Sequence, residues 1–179
     1  MSDKIHATTI LCVRKNGSLV MLSDGQVTSG NVVLKDSAKK VRTLCDGKVL
    51  VGFAGSVADA MTLVDLLEKK LHAHSGQLLR AVIEMCKDWR TDKYLHRLEA
   101  SMIVADKDVI LNVGGSGDVI ECDHIAAVGS GGNYALAAAK ALVALDLTAI
   151  DIARRSMTIA ADLCVYTNNN FTIVTLEVS

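Results

Sequence analysis

The chain switches several times between the two hydrophobic periods that proteins use. Residues 8–14 are rich in β-branched side chains and read as a strand. Asn16-Gly17 suits a type I′ hairpin turn, and residues 19–23 return. A further strand pair is expected at 31–34 and 41–44. Asp46-Gly47 then turns into residues 48–54, a nearly continuous apolar run of the kind found in a strand buried on both faces. There the period becomes helical. Val57, Ala60, Met61, Val64, Leu67 and Leu71 lie at three- and four-residue spacing, and Ser56 with Asp59 resembles a capping box with Asp in the Glu position. Gly76 stops this helix. A second follows at 77–92, with Leu79, Val82, Ile83, Cys86 and Trp89 on one face. Strands return at 101–106, 109–113, 119–122 and 125–128, the second and third joined by a turn at Gly114-Gly115-Ser116-Gly117. Helices are expected near 133–145 and 149–164. Thr148, Asp151 and a Leu147–Ile152 staple open the second of these. Residues 171–178 alternate as a final strand.

Strands joined by hairpins point to antiparallel sheets, not to repeated βαβ units. The expected class is α+β, with two stacked sheets and a helix pair outside each.

Composition narrows the function. The chain has 179 residues, half of them apolar, enough for one domain with a substantial core. Only six residues are aromatic, so that core is aliphatic. With 19 basic and 20 acidic residues, nothing suggests a nucleic-acid or membrane-surface partner. No apolar run reaches the length of a bilayer span. Residues 1–7 are too short and polar for a signal peptide. Five cysteines without a C-x-x-C pair read as buried reduced thiols, which favours a reducing compartment.

Several short segments carry chemistry only when taken together. Thr8 and Thr9 alone are ordinary strand residues. Lys39-Lys40 alone is a solvated basic pair, and Asp24-Gly25 a turn. Gly52 alone is a packing glycine in a buried strand. The Gly129-Ser130-Gly131-Gly132 loop before a helix resembles a phosphate-binding turn, which leaves a nucleotide-binding module as one alternative function. That pattern fails at Tyr134 and lacks the βαβ context. The histidines show no metal spacing and read as solvent-facing.

The segments TTILCVRKNG, SDGQVTSGN, KKVRTL, VGFAGSVADA, KDWRTDKYLHRLEA, AVGSGGNYALAAAKAL and IAADLCVYTN, in that order, resemble the HslV (ClpQ) family of bacterial peptidases, relatives of proteasome β subunits. The resemblance runs from Thr8 to about Thr172. It implies the four-layer αββα fold of N-terminal nucleophile hydrolases. It also implies a threonine endopeptidase in which residues 1–7 form a leader and 8–179 a single peptidase domain. Removal of the leader makes Thr8 the N-terminal residue, with a hydroxyl nucleophile and an α-amine base in one residue. A strand alternates faces, so only one of Thr8 and Thr9 can point into the site.

By the same resemblance Lys40 is the active-site lysine, Asp24 its carboxylate and Lys39 the exposed neighbour. Gly52 offers an N–H to the oxyanion. Ser130 stands near the threonine amine, and Asp162 has a supporting role. Backbone carbonyls of Ala161, Cys164 and Thr167 match a monovalent-cation (Na+) site, although Ala161 stands where glycine is common. No cofactor is needed for the chemistry. Two stacked hexameric rings and an HslU-like AAA+ ATPase are the expected partners, with ATP acting only through that ATPase. A catalytically inactive ring subunit is the alternative within the same fold. The expected setting is the bacterial cytoplasm, or the mitochondrial matrix if the chain is eukaryotic.

Overall fold

The computed structural model describes residues 5–98, 100–115 and 117–178. Its elements follow the order strands, two helices, strands, two helices, strand. The first group is β1 (Ile5–Ala7), β2 (Thr9–Lys15), β3 (Ser18–Ser23), β4 (Val27–Ser29), β5 (Val32–Lys35), β6 (Val41–Leu44) and β7 (Val49–Gly55). Helices α1 (Val57–Ala73) and α2 (Leu78–Thr91) come next, then a 3-10 turn at Leu95–Arg97. The chain continues with β8 (Ala100–Ala105), β9 (Ile110–Val113), β10 (Val119–Cys122), β11 (Ile125–Gly129), α3 (Gly132–Leu142), α4 (Ala149–Leu163) and β12 (Thr172–Glu177).

Two antiparallel sheets form the middle layers. One has the order β10-β9-β8-β7-β6, the other β11-β2-β3-β12. Each apolar period has its own layer to fill. Leu63, Leu67 and Leu71 of α1 join Val82, Met85 and Trp89 of α2 against the outer face of the five-stranded sheet, through Val51, Phe53, Met102 and Val104. Ala135, Ala139, Ile152 and Met157 of α3 and α4 cover the four-stranded sheet through Leu11, Val13, Val20 and Leu22. Between the sheets lie Ile10, Cys12, Met21, Leu50, Ile103 and Ile110. Leu11 and Leu22 thus face the helices while Ile10, Cys12 and Met21 face the other sheet, as strand alternation requires. The arrangement is the expected αββα sandwich.

Both anticipated caps form. Ser56 accepts a hydrogen bond from the Asp59 N–H, and Thr148 one from the Asp151 N–H. A small third sheet, β1-β4-β5, was not anticipated. Ile5, His6 and Ala7 pair with Ser29, Thr28 and Val27.

Candidate active site

The site assembles at one end of the sandwich, where β2, β6 and β4 begin and β7 and β11 end. Thr8 is the link between β1 and β2. It is buried and has φ +90°, and its carbonyl accepts the Ser130 N–H at 3.1 Å. Gly129 ends β11 directly against it: a Cβ there would lie 1.8 Å from the Thr8 oxygen, and its φ is +93°. Only glycine allows this approach.

Thr9 is fully engaged. Its N–H donates to Asp24 Oδ1 at 2.8 Å and its carbonyl accepts the Asp24 N–H at 3.2 Å. Its hydroxyl shares a hydrogen bond with Thr167 Oγ1 and accepts the Gly131 N–H, both at 2.8 Å. Thr9 therefore fastens the start of β2 to the loop before α3.

Lys40 is turned inward and Lys39 outward. Lys40 Nζ donates to the Gln26 carbonyl and lies 3.7 Å from Asp24 Oδ1. The same carboxylate oxygen thus serves both the Thr9 N–H and the Lys40 cation. Asp24 Oδ2 accepts the Gln26 N–H at 3.0 Å and the Asn168 N–H at 3.2 Å. Burial pushes the Lys40 ammonium down from 10.5 to about 8, with Asp24 opposing the shift. A lysine poised there can surrender or hold its proton near neutral pH.

Two expected placements need correction. Gly52 does not present its N–H to the site. Phe53 N–H donates to the Lys40 carbonyl, so Gly52 and Val41 form a non-hydrogen-bonded pair, and the Gly52 N–H points the other way, towards Ile103 on β8. Gly52 is a packing glycine: a Cβ there would meet Ile10 Cγ2 at 2.6 Å and Met21 Sδ at 2.9 Å. Strand parity puts Gly55, with φ +107°, on the same edge as Phe53. β6 starts at Val41, so this edge of β7 has no β6 partner beyond Phe53, and β1 lies against β7. Gly55 is the missed candidate donor. The segment GFAG holds two glycines, and only the register distinguishes them.

Asp162 is exposed near the end of α4 and makes no hydrogen bond or ion pair to Thr8, Lys40 or Ser130. Helix geometry points it outward. The Gly129–Gly132 loop is not a phosphate cradle either, because the Ser130 and Gly131 N–H groups are already bonded to Thr8 and Thr9. The Ser130 side chain is exposed beside them.

Ala161, Cys164 and Thr167 lie at and just after the C-terminal end of α4. Ala161 keeps ordinary helical backbone with no positive φ, so alanine is no obstacle there. The Cys164 carbonyl accepts the Thr167 N–H at 3.0 Å and has a second lone pair left. Last-turn carbonyls without intrahelical partners suit a hard cation.

Comparison with known proteins agrees with this fold. A family model described as proteasome subunit matches residues 5–176. The ATP-dependent protease subunit HslV of Rhizorhabdus wittichii is 59% identical over 175 residues, covering 97% of this chain and 96% of that one. That of Caulobacter vibrioides is 58% identical over 177 residues, covering 96% and 94%. The crystal structure of eukaryotic HslV from Trypanosoma brucei matches with a TM-score of 0.91 at 47% identity, covering 94% of this chain and 99% of that one. Thiobacillus denitrificans BPH, with a TM-score of 0.72 at 21% identity, shares the fold. This chain belongs to the proteasome subunit family, within its HslV group.

Proposed function

We propose that this chain is the threonine endopeptidase subunit of an ATP-dependent protease, with Thr8 as nucleophile once residues 1–7 are removed. The observation that carries the reading is the shared Asp24 oxygen. It ties the start of β2, one residue from Thr8, to a buried lysine. The freed Thr8 amine takes the hydroxyl proton as oxygen attacks the substrate carbonyl. The Lys40 cation disfavours a second positive charge nearby and so keeps that amine neutral. It also stabilises negative charge on the hydroxyl oxygen. The Gly55 N–H, on the open edge of β7, is the donor for the tetrahedral oxyanion. The adduct collapses as the protonated Thr8 amine gives its proton to the leaving peptide nitrogen and the C–N bond breaks; water, deprotonated by the same amine, then hydrolyses the Thr8 ester and frees the acyl product. The leader strand β1, paired with β4 and lying against β7, supports an extended substrate in this groove. Mass spectrometry of the purified protein tests the reading: a mature N-terminus at Thr8 supports it. Full peptidase activity in assembled Thr8→Ala protein would sink it.

The HslV relatives are named as subunits of an ATP-dependent protease, and we extend that to this chain. Val32, Val33 and Leu34 on β5, Leu163 at the end of α4 and Val165 just after it are exposed apolar residues, which suits burial against further copies. Two stacked hexamers capped by an HslU-like AAA+ ATPase fit this role, in a bacterial cytoplasm. A stable monomer by light scattering after leader removal would refute the ring. The carbonyls of Ala161, Cys164 and Thr167 would hold Na+, which would brace the Thr167 segment against Thr9. Thermal stability independent of Na+ at constant ionic strength would count against that site.

A further inference from the structure

The loop between α4 and β12 reaches back into the site through Thr167, which meets Thr9, and through Asn168, which meets the Asp24 turn. The Asn168 N–H donates to Asp24 Oδ2 at 3.2 Å. Its amide oxygen accepts the Gly25 N–H at 3.0 Å and the Asn170 N–H at 3.1 Å. Its amide nitrogen donates to the Asp36 carbonyl at 2.8 Å, and Asn170 Nδ2 donates to the same carbonyl at 2.9 Å. The two N–H donors on one side and the carbonyl on the other fix which way the amide faces. No other residue type of this length offers an acceptor and a donor on one planar group. Asp36 lies four residues before Lys40, on the segment that delivers it to the site. Gly25 is pressed close there too: its carbonyl accepts the Ala38 N–H at 2.9 Å, and a Cβ on it would fall 2.3 Å from the Asp36 oxygen. Asn168 therefore joins the turn that carries Asp24 to the segment that carries Lys40, and it does so from the far side of the carboxylate.

We propose that Asn168 is a positioning residue for the peptidase reaction: it clamps the Asp24 turn against the Asp36–Lys40 segment and so sets the distance between carboxylate and ammonium. The inference rests on the Thr8–Lys40 reading above. Its consequence is chemical as well as geometric. Asp24 is the charged group facing Lys40 among the described residues, and in the cut chain the Thr8 amine joins it. If Asp24 draws back, Lys40 loses the interaction that opposes its burial, and its proton is released at lower pH.

The test uses the processed, assembled enzyme and a fluorogenic peptide. In Asn168→Ala, kcat falls about 10–100-fold, as for an active-site misplacement of about 1 Å. KM stays near its original value, and the alkaline limb of the kcat profile moves to lower pH. In Asn168→Ala combined with Lys40→Arg, whose cation does not titrate in this range, that movement disappears. Asn168→Asp keeps both acceptor bonds and loses the donor to Asp36. It provides the same kcat-against-KM test if the alanine variant does not assemble. An unchanged kcat, a rise in KM alone, or an unmoved limb would overturn the proposal. A fully active Thr8→Ala control would instead overturn the peptidase reading on which it stands.

Discussion

Replacing Thr9 by Val isolates one hydroxyl at the centre of the site. The side chains are nearly the same shape, so no cavity opens, and Thr9 is fully buried. What disappears is the oxygen that accepts the Gly131 N–H and pairs with Thr167 Oγ1. Both partners are then left buried without their bond. Each such orphan costs about 1–3 kcal/mol, so the loss is about 3 kcal/mol once the freedom of the Thr167 hydroxyl to turn is allowed for. For a domain of this size that lowers Tm by about 6–12 °C. Thr167→Val is milder, because the Thr9 oxygen still accepts the Gly131 N–H. The double variant loses the hydroxyl pair together and costs less than the sum of the single ones, with a coupling of about 0.5–3 kcal/mol. The assay is thermal unfolding at one protein concentration, with peptide turnover measured on the same samples well below Tm. Turnover survives in Thr9→Val, because the proposed nucleophile is Thr8. Thr9→Val protein that melts with the wild type, or strict additivity in the cycle, would refute the reasoning.

Four further outcomes follow from the structure. Lys40 holds its proton below about 8 in the native state, so activity that needs the cation declines as pH rises through that value; in Lys40→Arg the decline is absent from the pH profile. The same depressed value sets the sign for stability: between about 8 and 10.5 the unfolded lysine binds a proton the native one has released, so the burial cost of the charge, full below 8, is relieved as pH rises, and Lys40→Met removes that slope from pH-dependent urea unfolding. Burial pushes the thiols of Cys12 to about 12 and Cys86 to about 11, so iodoacetamide at pH 8 leaves both unlabelled in the folded protein and labels them after unfolding, as peptide mapping would show. Gly129→Ala places a methyl group 1.8 Å from the Thr8 oxygen at φ +93°, so the variant fails to form the site and shows neither leader cleavage nor turnover.

Most elements were legible because each carries enough residues to display a period. The helices over Val57–Ala73 and Ala149–Leu163 repeat their apolar stripe four times, and their caps name their first turns. Strands β1 and β4 were missed because three residues cannot show an alternation, and β1 exists by pairing with β4 across twenty positions of chain, while β4 also leans on β5. Lys40 against Lys39, and Gly55 against Gly52, are questions of parity. A sequence gives the repeat of a strand but not which neighbour takes its odd-numbered N–H groups. The choice between the lysines could be made from the resemblance; the choice between the glycines needed the ladder of β6, β7 and β8. Asn168 was hidden for another reason. The partners of its side chain are backbone groups of Gly25, Asp36 and Asn170, and backbone groups leave no mark on the sequence.

The positive φ of Thr8 has a consequence for the direction of maturation. A torsion of +90° at a β-branched residue is sparsely populated and costs about 1–3 kcal/mol, held in place by the Ser130 and Gly129 contacts around the Thr8 carbonyl. That angle is defined by the carbonyl carbon of Ala7. Once the Ala7–Thr8 bond is cut, the atom that defines the torsion leaves with the leader, and the strain has no bond left in which to reside. In the proposed processing the uncut chain is thus a loaded spring whose latch is the Ala7–Thr8 bond. Re-forming that bond would require rewinding the spring as well as expelling water, so in the proposed maturation the strain adds about 1–3 kcal/mol to the drive towards the cut chain.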